Sequence, residues 1–220
     1  DSKVFLFDYP SQNYLPKGSN SIIKNTVKDK DLYVFISHGH PDHFSSTVQR
    51  FENDTRDVHY VISDDIHTDI STADKAVKVS PESDYNVDDI DVHTYQSNDE
   101  GVAFLIQTNG KTIYFGGDLA KWNWPEWSES KRQEHVKVFD RVLEKLKSKN
   151  PHIAFSNMDE RLPSWAGPMD FIEKVQPRFF VPIHTFGHTE WIDDLLEKSG
   201  STKTEIITYK KTGDKTQLEI

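Results

Sequence analysis

The segment Ile36–Phe44, ISHGHPDHF, sets three histidines and an aspartate inside positions 38–43, directly behind the apolar run LYVFIS at 32–37. Imidazole and carboxylate are the donors that hold zinc and similar divalent cations, and crowding them costs desolvation and repulsion unless a cation lies among them. A fold that contains this loop must therefore place it at a strand end and bring further donors to it. There, alternate residues aim at one point and the next pair at a second, roughly 3.5–4 Å away, as in two-metal centres. Gly39 lets the backbone bend and Pro41 stiffens the turn. The chain has no cysteine, which excludes thiolate metal sites and a disulfide framework and fits a cytoplasmic location.

The surroundings of the loop read mainly as strands. VFLFDY at 4–9, LYVFIS at 32–37, VHYVIS at 58–63, AVKVS at 76–80 and IDVHTY at 90–95 are rich in β-branched and aromatic residues, and their spacing suggests one sheet. In GVAFLIQTNGKTIYFGGD, Asn109-Gly110 joins two apolar runs and predicts a tight hairpin whose second strand ends at Gly116-Gly117-Asp118. Phe139, Val142, Leu143 and Leu146 recur at helical spacing within 126–149, a charged segment stopped by Asn150-Pro151. HIAFSN at 152–157, RFFVPIH at 178–184 and TEIITY at 204–209 read as strands, with helical stretches at 168–175 and 189–198 between them. The expectation is antiparallel pieces first and β/α alternation second, within one domain spanning 1–220.

Composition narrows the partners. Hydrophobic residues make up 35% of the chain and aromatics 12%, enough for a core of enzyme size. A net charge of −10 repels polyanions, so a small-molecule substrate is expected and nucleic acid is not. No apolar run approaches the ~20 residues of a membrane span, so no membrane partner is expected.

The loop after its strand, with Asp118 in IYFGGD and His184 in FVPIHTFGH, resembles the metallo-β-lactamase-fold hydrolases, whose signature is HxHxDH. The resemblance runs from Phe5-Leu-Phe-Asp8 to His184, and its nearest branch looks like the compact ascorbate-6-phosphate lactonase-like proteins. It implies a four-layer αββα sandwich with metals in a cleft at the edge of two sheets. It also implies two divalent ions, zinc first with manganese or iron as alternatives. One would be held by Asp42, His43, Asp118 and His184, the other by His38, His40 and the shared Asp118. A third histidine usual for that second position is replaced here by Ser97. His93 is four residues upstream, roughly 13 Å along a strand, so Asp99 or Glu100 reaching round the turn, or a water held by Ser97, would fill the place. The family's usual first hairpin, before VFLFDY, is missing.

The implied activity is hydrolysis of an ester, lactone, phosphoester or similar bond by a hydroxide held between the two ions. Asp42 would orient that hydroxide, and His188 would act as proton donor or supporting group. Trp122 and Trp124, in the Lys121–Trp127 run, follow Asp118 and would wall the substrate pocket, while Asp159 and Arg161, in the loop after HIAFSN, would also lie on the substrate side, Arg161 gripping an anionic group. His59, His67, His135 and His152 read as structural or solvent-facing. The rivals are a phosphodiesterase or nuclease of the same fold and a metal-binding sensor that no longer turns over.

Overall fold

The structure, a computed structural model, describes residues 2–67, 70, 75–192 and 203–220. Two sheets form its centre. The first has strand order β1 (Lys3–Phe7), β2 (Asp31–Ile36), β3 (Asp57–Ser63) and β4 (Ala76–Val79). The second runs β11 (Glu205–Ile206), β10 (Phe179–Ile183), β9 (Ile153–Asn157), β8 (Lys111–Phe115), β7 (Val102–Thr108), β6 (Ile90–Gln96) and β5 (Asp84–Val87).

Side-chain alternation turns these sheets into layers. On β2, Leu32, Val34 and Ile36 face outward to Val27 of α1 (Ser19–Val27) and to Val48 and Phe51 of a 3-10 segment (Ser46–Asp54). Tyr33 and Phe35 face inward, where Phe35 meets Phe104 of β7 edge-on at 5.4 Å. On the second sheet, Val102, Phe104 and Ile106 face the first sheet, while Ala103 and Leu105 meet α2 (Glu129–Leu146) and α3 (Pro168–Val175). Helices outside both sheets make the αββα sandwich. Each fully buried Phe or Leu contributes roughly 1.5–3 kcal/mol, so three interlayer cores of this size hold the frame on which the loops are mounted.

Several expectations are met closely. The 126–149 helix is α2, which starts where the Ser128 hydroxyl accepts the Lys131 N–H and buries Phe139, Val142, Leu143 and Leu146. Asn109 and Gly110 have φ of 49° and 72°, the doubly positive turn that matches strand twist.

Others are corrected. The early strands are not one sheet with IDVHTY, because β6 belongs to the second sheet. Nor do antiparallel pieces come first: β1 to β4 are all parallel, and the antiparallel ladder is β5 to β8 in the middle of the chain. The connections before β2, β3 and β4 are long enough for the crossovers that parallel pairing requires. Helix α1 escaped the pattern because its start, Gly18, offers no side-chain cap and its apolar residues are few. The stretch 189–198 lies outside the described residues from 193 onward.

Candidate metal centre

The centre is built from strand ends. β1 stops at Phe7, and Asp8 turns the chain with φ 51°. Its carboxylate accepts the Ser37 N–H at 2.8 Å and the Ser37 hydroxyl at 2.9 Å, and faces His43 Nδ1 at 2.7 Å. That contact fixes Nδ1 of His43 as the protonated nitrogen and leaves Nε2 turned to Asp118 Oδ2, 3.3 Å away. Asp118 stands three residues past Phe115, the end of β8, directly after Gly116-Gly117. His38, fully buried, uses Nδ1 toward the Ser37 hydroxyl at 3.0 Å, so its Nε2 points to His40 Nδ1 at 3.0 Å.

Glycines make this convergence possible. A Cβ on Gly101, whose φ is +66°, would lie 2.0 Å from Ser37 O and 2.7 Å from His38 Cβ. A Cβ on Gly117, whose φ is +51°, would lie 2.6 Å from Ser37 Cβ. The backbone at 37–38 is thus held between the β6–β7 turn and the turn after β8, and a bond from Val102 N to Ser37 O at 2.9 Å joins the two sheets there.

The donors fit a divalent cation. Tetrahedral ligands at ~2.1 Å stand about 3.4 Å apart; here the facing donor atoms of His38, His40, His43, Asp99 and Asp118 are 3.0 to 4.0 Å apart. Oδ1 of Asp118 is buried without a hydrogen-bond partner, the state expected of an atom whose partner is an ion, whereas Nδ1 of His184 faces Asp159 Oδ2 at 3.4 Å. The field agrees. Burial alone would lower the His43 pKa, yet the carboxylates of Asp118 and Asp8 push it up to about 10, so this pocket favours positive charge. Burial opposes charge on Asp118 as well, but His43, then His184 and His38, hold its carboxyl below the usual range.

No family model matches the sequence, and no curated protein is similar to it at a significant level. Solved structures do match. A protein from Parabacteroides distasonis assigned as a metal-dependent hydrolase superimposes with TM-score 0.59 at 15% identity, over 92% of this chain and 83% of that one. The metallo-β-lactamase fold protein YhfI from Bacillus subtilis gives 0.57 at 12%, over 94% and 85%. CmlA from Streptomyces venezuelae, a diiron β-hydroxylase, gives 0.50 at 12%, over 82% of this chain and 44% of that one.

This chain has the metallo-β-lactamase fold.

Within that metallo-β-lactamase frame, the expected residues divide into a tight core and a rim. His38, His43 and Asp118 form one close group of the core, and His38 and His40 with Asp99 form a second. Asp42 is half exposed, with Oδ2 3.9 Å from His43 Nε2. His184 follows β10 with φ 61°, and its ring lies against Trp122 at 5.2 Å and Phe186 at 4.5 Å. His188 is exposed on the next turn, with its N–H bonded to Thr185 O at 2.9 Å, and it does not line the pocket.

A recess of about 210 Å³ opens beside Asp118 and is walled by Trp122, Trp124, Trp127, Phe186 and Arg161. Trp122 has two roles: its indole N–H donates to Asp118 O at 2.8 Å, and it packs with Leu162 and Ala166. Asp159, 1% exposed, holds Arg161 through Nε at 2.8 Å and Nη2 at 2.5 Å, and the guanidinium lies over Phe186 at 4.5 Å and Trp124 at 5.2 Å. Asp159 therefore positions Arg161 and has little surface left for a ligand. A larger groove of about 1020 Å³ passes His184 along Ile153, Phe155, Val181 and Ile183, but Asp99 and Asp118, the carboxylates facing the loop histidines, line the smaller recess.

Two contributors were not expected. Asp8 was visible only as the polar end of VFLFD. His135 lines the recess, its ring 4.6 Å from Trp127 and its buried Nδ1 without a hydrogen-bond partner. It lies one helical turn before Phe139, on the inward stripe of α2, and that spacing carried the signal. His59 stacks on Tyr33 at 4.7 Å and His152 accepts the Thr112 N–H at 3.0 Å, both structural as expected.

Asp8→Asn is expected to weaken cation binding by about 10–100-fold, since it removes the acceptor that fixes the His43 tautomer. Titration of metal-stripped protein with Co²⁺ measures it; an unchanged affinity would separate Asp8 from the centre.

Proposed function

We propose that this chain is a metal-dependent hydrolase acting on a small ester, lactone or phosphoester that carries an anionic group. The observation that carries the proposal is that His38 Nε2 lies 3.0 Å from His40 Nδ1 and 4.0 Å from Asp118 Oδ2, which itself lies 3.3 Å from His43 Nε2, beside a recess that presents Arg161. His38, His40, His43 and Asp118, with Asp42 and His184 at the rim, are the residues that would hold divalent ions, zinc, manganese or iron. Bound there, such ions polarise the substrate oxygen and lower the pKa of water.

The chain's own groups do the rest. Asp42, exposed with Oδ2 3.9 Å from His43 Nε2, would accept a hydrogen bond from the attacking water and aim an oxygen lone pair at the carbonyl carbon or phosphorus. The water oxygen bonds to that centre and its proton passes to Asp42; as the bond to the leaving oxygen breaks, Asp42 returns the proton to that oxygen. Trp122, Trp124 and Phe186 exclude bulk water from the recess, which strengthens charge interactions inside it. Arg161, oriented by Asp159, binds the anionic group through the guanidinium edge that Asp159 leaves free. The net charge of −10 counts against a nuclease.

Assay of the metal-loaded protein on lactones, phosphomonoesters, phosphodiesters and thioesters tests this, with turnover expected on an anionic lactone or phosphoester. Arg161→Gln should raise KM for the anionic member about 10-fold or more while kcat changes little, because a charge-assisted hydrogen bond contributes roughly 1.5–3 kcal/mol. A fully loaded protein inert on every class would favour a non-catalytic metal-binding protein.

A further inference from the structure

The position expected to carry a third histidine holds Ser97, whose hydroxyl has no hydrogen bond to a histidine among the described residues. It is 6% exposed, and its hydroxyl accepts the Asp99 N–H at 3.2 Å, closing the turn between β6 and β7. The side chain this turn delivers to the histidines is Asp99. Its Oδ2 lies 3.5 Å from His40 Nδ1 and 3.9 Å from His38 Nε2, and those two nitrogens are 3.0 Å apart. All three atoms thus face one common point. Glu100, the other carboxylate in the turn, lies 3.5 Å from His40 Nε2, on the edge of the ring turned away from His38.

The turn is built to hold this arrangement. Asn98, 9% exposed, donates to Ala120 O at 2.6 Å and to His135 O at 2.8 Å and accepts the Ala120 N–H at 3.2 Å. It therefore ties the turn both to the loop that carries Asp118 and to α2. Gly101 closes the far side against Ser37. A carboxylate carried on a turn fixed at both ends is placed before any ion arrives, so binding costs little ordering of the chain.

We propose that Asp99 is the third protein ligand of a divalent cation held by His38 and His40, taking the place of an imidazole. The proposal rests on the centre binding cations, as argued above. Two imidazoles and one carboxylate on one face make a harder and more anionic set than three imidazoles, and this shifts preference toward Mn²⁺ or Fe²⁺ relative to Zn²⁺.

The test uses the full chain, stripped with chelator, reloaded with Mn²⁺ or Co²⁺ and desalted. Metal per chain is read by elemental analysis, and the Co²⁺ coordination by its visible absorption. Wild type should retain two ions. Asp99→Ala and Asp99→Asn should retain one, with the second bound at least about 100-fold more weakly, beyond the 10–100-fold typical of lost outer-sphere partners. Glu100→Ala should retain two. Asp99→His should return the count to two, with an altered Co²⁺ spectrum and a gain in Zn²⁺ over Mn²⁺; that recovery distinguishes lost ligation from a disturbed turn. Two ions held with unchanged affinity and spectrum in Asp99→Ala would overturn the proposal. A wild type that retains one ion, also held by Asp99→Ala, would overturn it while leaving the rest of the centre standing. A wild type that retains none would overturn the metal-binding reading itself.

Discussion

Asp118→Asn is expected to empty the centre more completely than any single histidine change. Asp118 is the carboxylate that approaches both parts of the cluster, 3.3 Å from His43 Nε2 and 4.0 Å from His38 Nε2, with its second oxygen buried and without a partner. The amide removes the charge that offsets repulsion between cations and puts an N–H₂ where an oxygen donor stood. Ion affinity should fall by about 100-fold or more, and hydrolysis with it. His184→Ala, which removes a rim ligand, should cost less. Elemental analysis at fixed free metal, with circular dichroism to confirm folding, measures both; unchanged metal content in Asp118→Asn would remove that residue from the centre.

Gly101→Ala should produce the largest loss of stability of any single methyl group added near the site. The φ of +66° is unfavourable for an L side chain, and the new Cβ would collide with Ser37 O at 2.0 Å. That atom is backbone and cannot swing aside, so the turn must lift away from β2 and break the Val102 N–H to Ser37 O bond. Strain of about 1–3 kcal/mol and overpacking of about 1–3 kcal/mol together predict a loss of roughly 3 kcal/mol or more. Urea unfolding should show it as a lowered midpoint. A midpoint within experimental error of wild type would mean that the turn does not press on β2.

Legibility in the sequence followed the range over which each feature is determined. The HxHxDH loop, the Asn109-Gly110 turn and α2 are local, and their residues suffice to specify them. Sheet membership is not local. IDVHTY looks like VHYVIS as a string, yet β3 and β6 lie in different sheets because their partners, far along the chain, decide it. Asp8 was hard for the same reason: it is an ordinary acidic residue until β1 arrives beside β2. Ser97 was noticed as a departure with Asp99, Glu100 or a water in its place, and separating these needed the turn's geometry, in which the Ser97 hydroxyl accepts the Asp99 N–H.

The donors are shared between the two sheets: His38, His40 and His43 follow a strand of the first, while Asp99, Asp118 and His184 follow strands of the second. An ion gripped by both sets would rivet one half of the sandwich to the other, in a chain without a cysteine to form a covalent clamp. Thermal tolerance would then rise with free metal concentration. Chelation would loosen first the loop-bearing rim, where amide exchange should quicken, while the far ends of β2, β7 and β8 keep their protection.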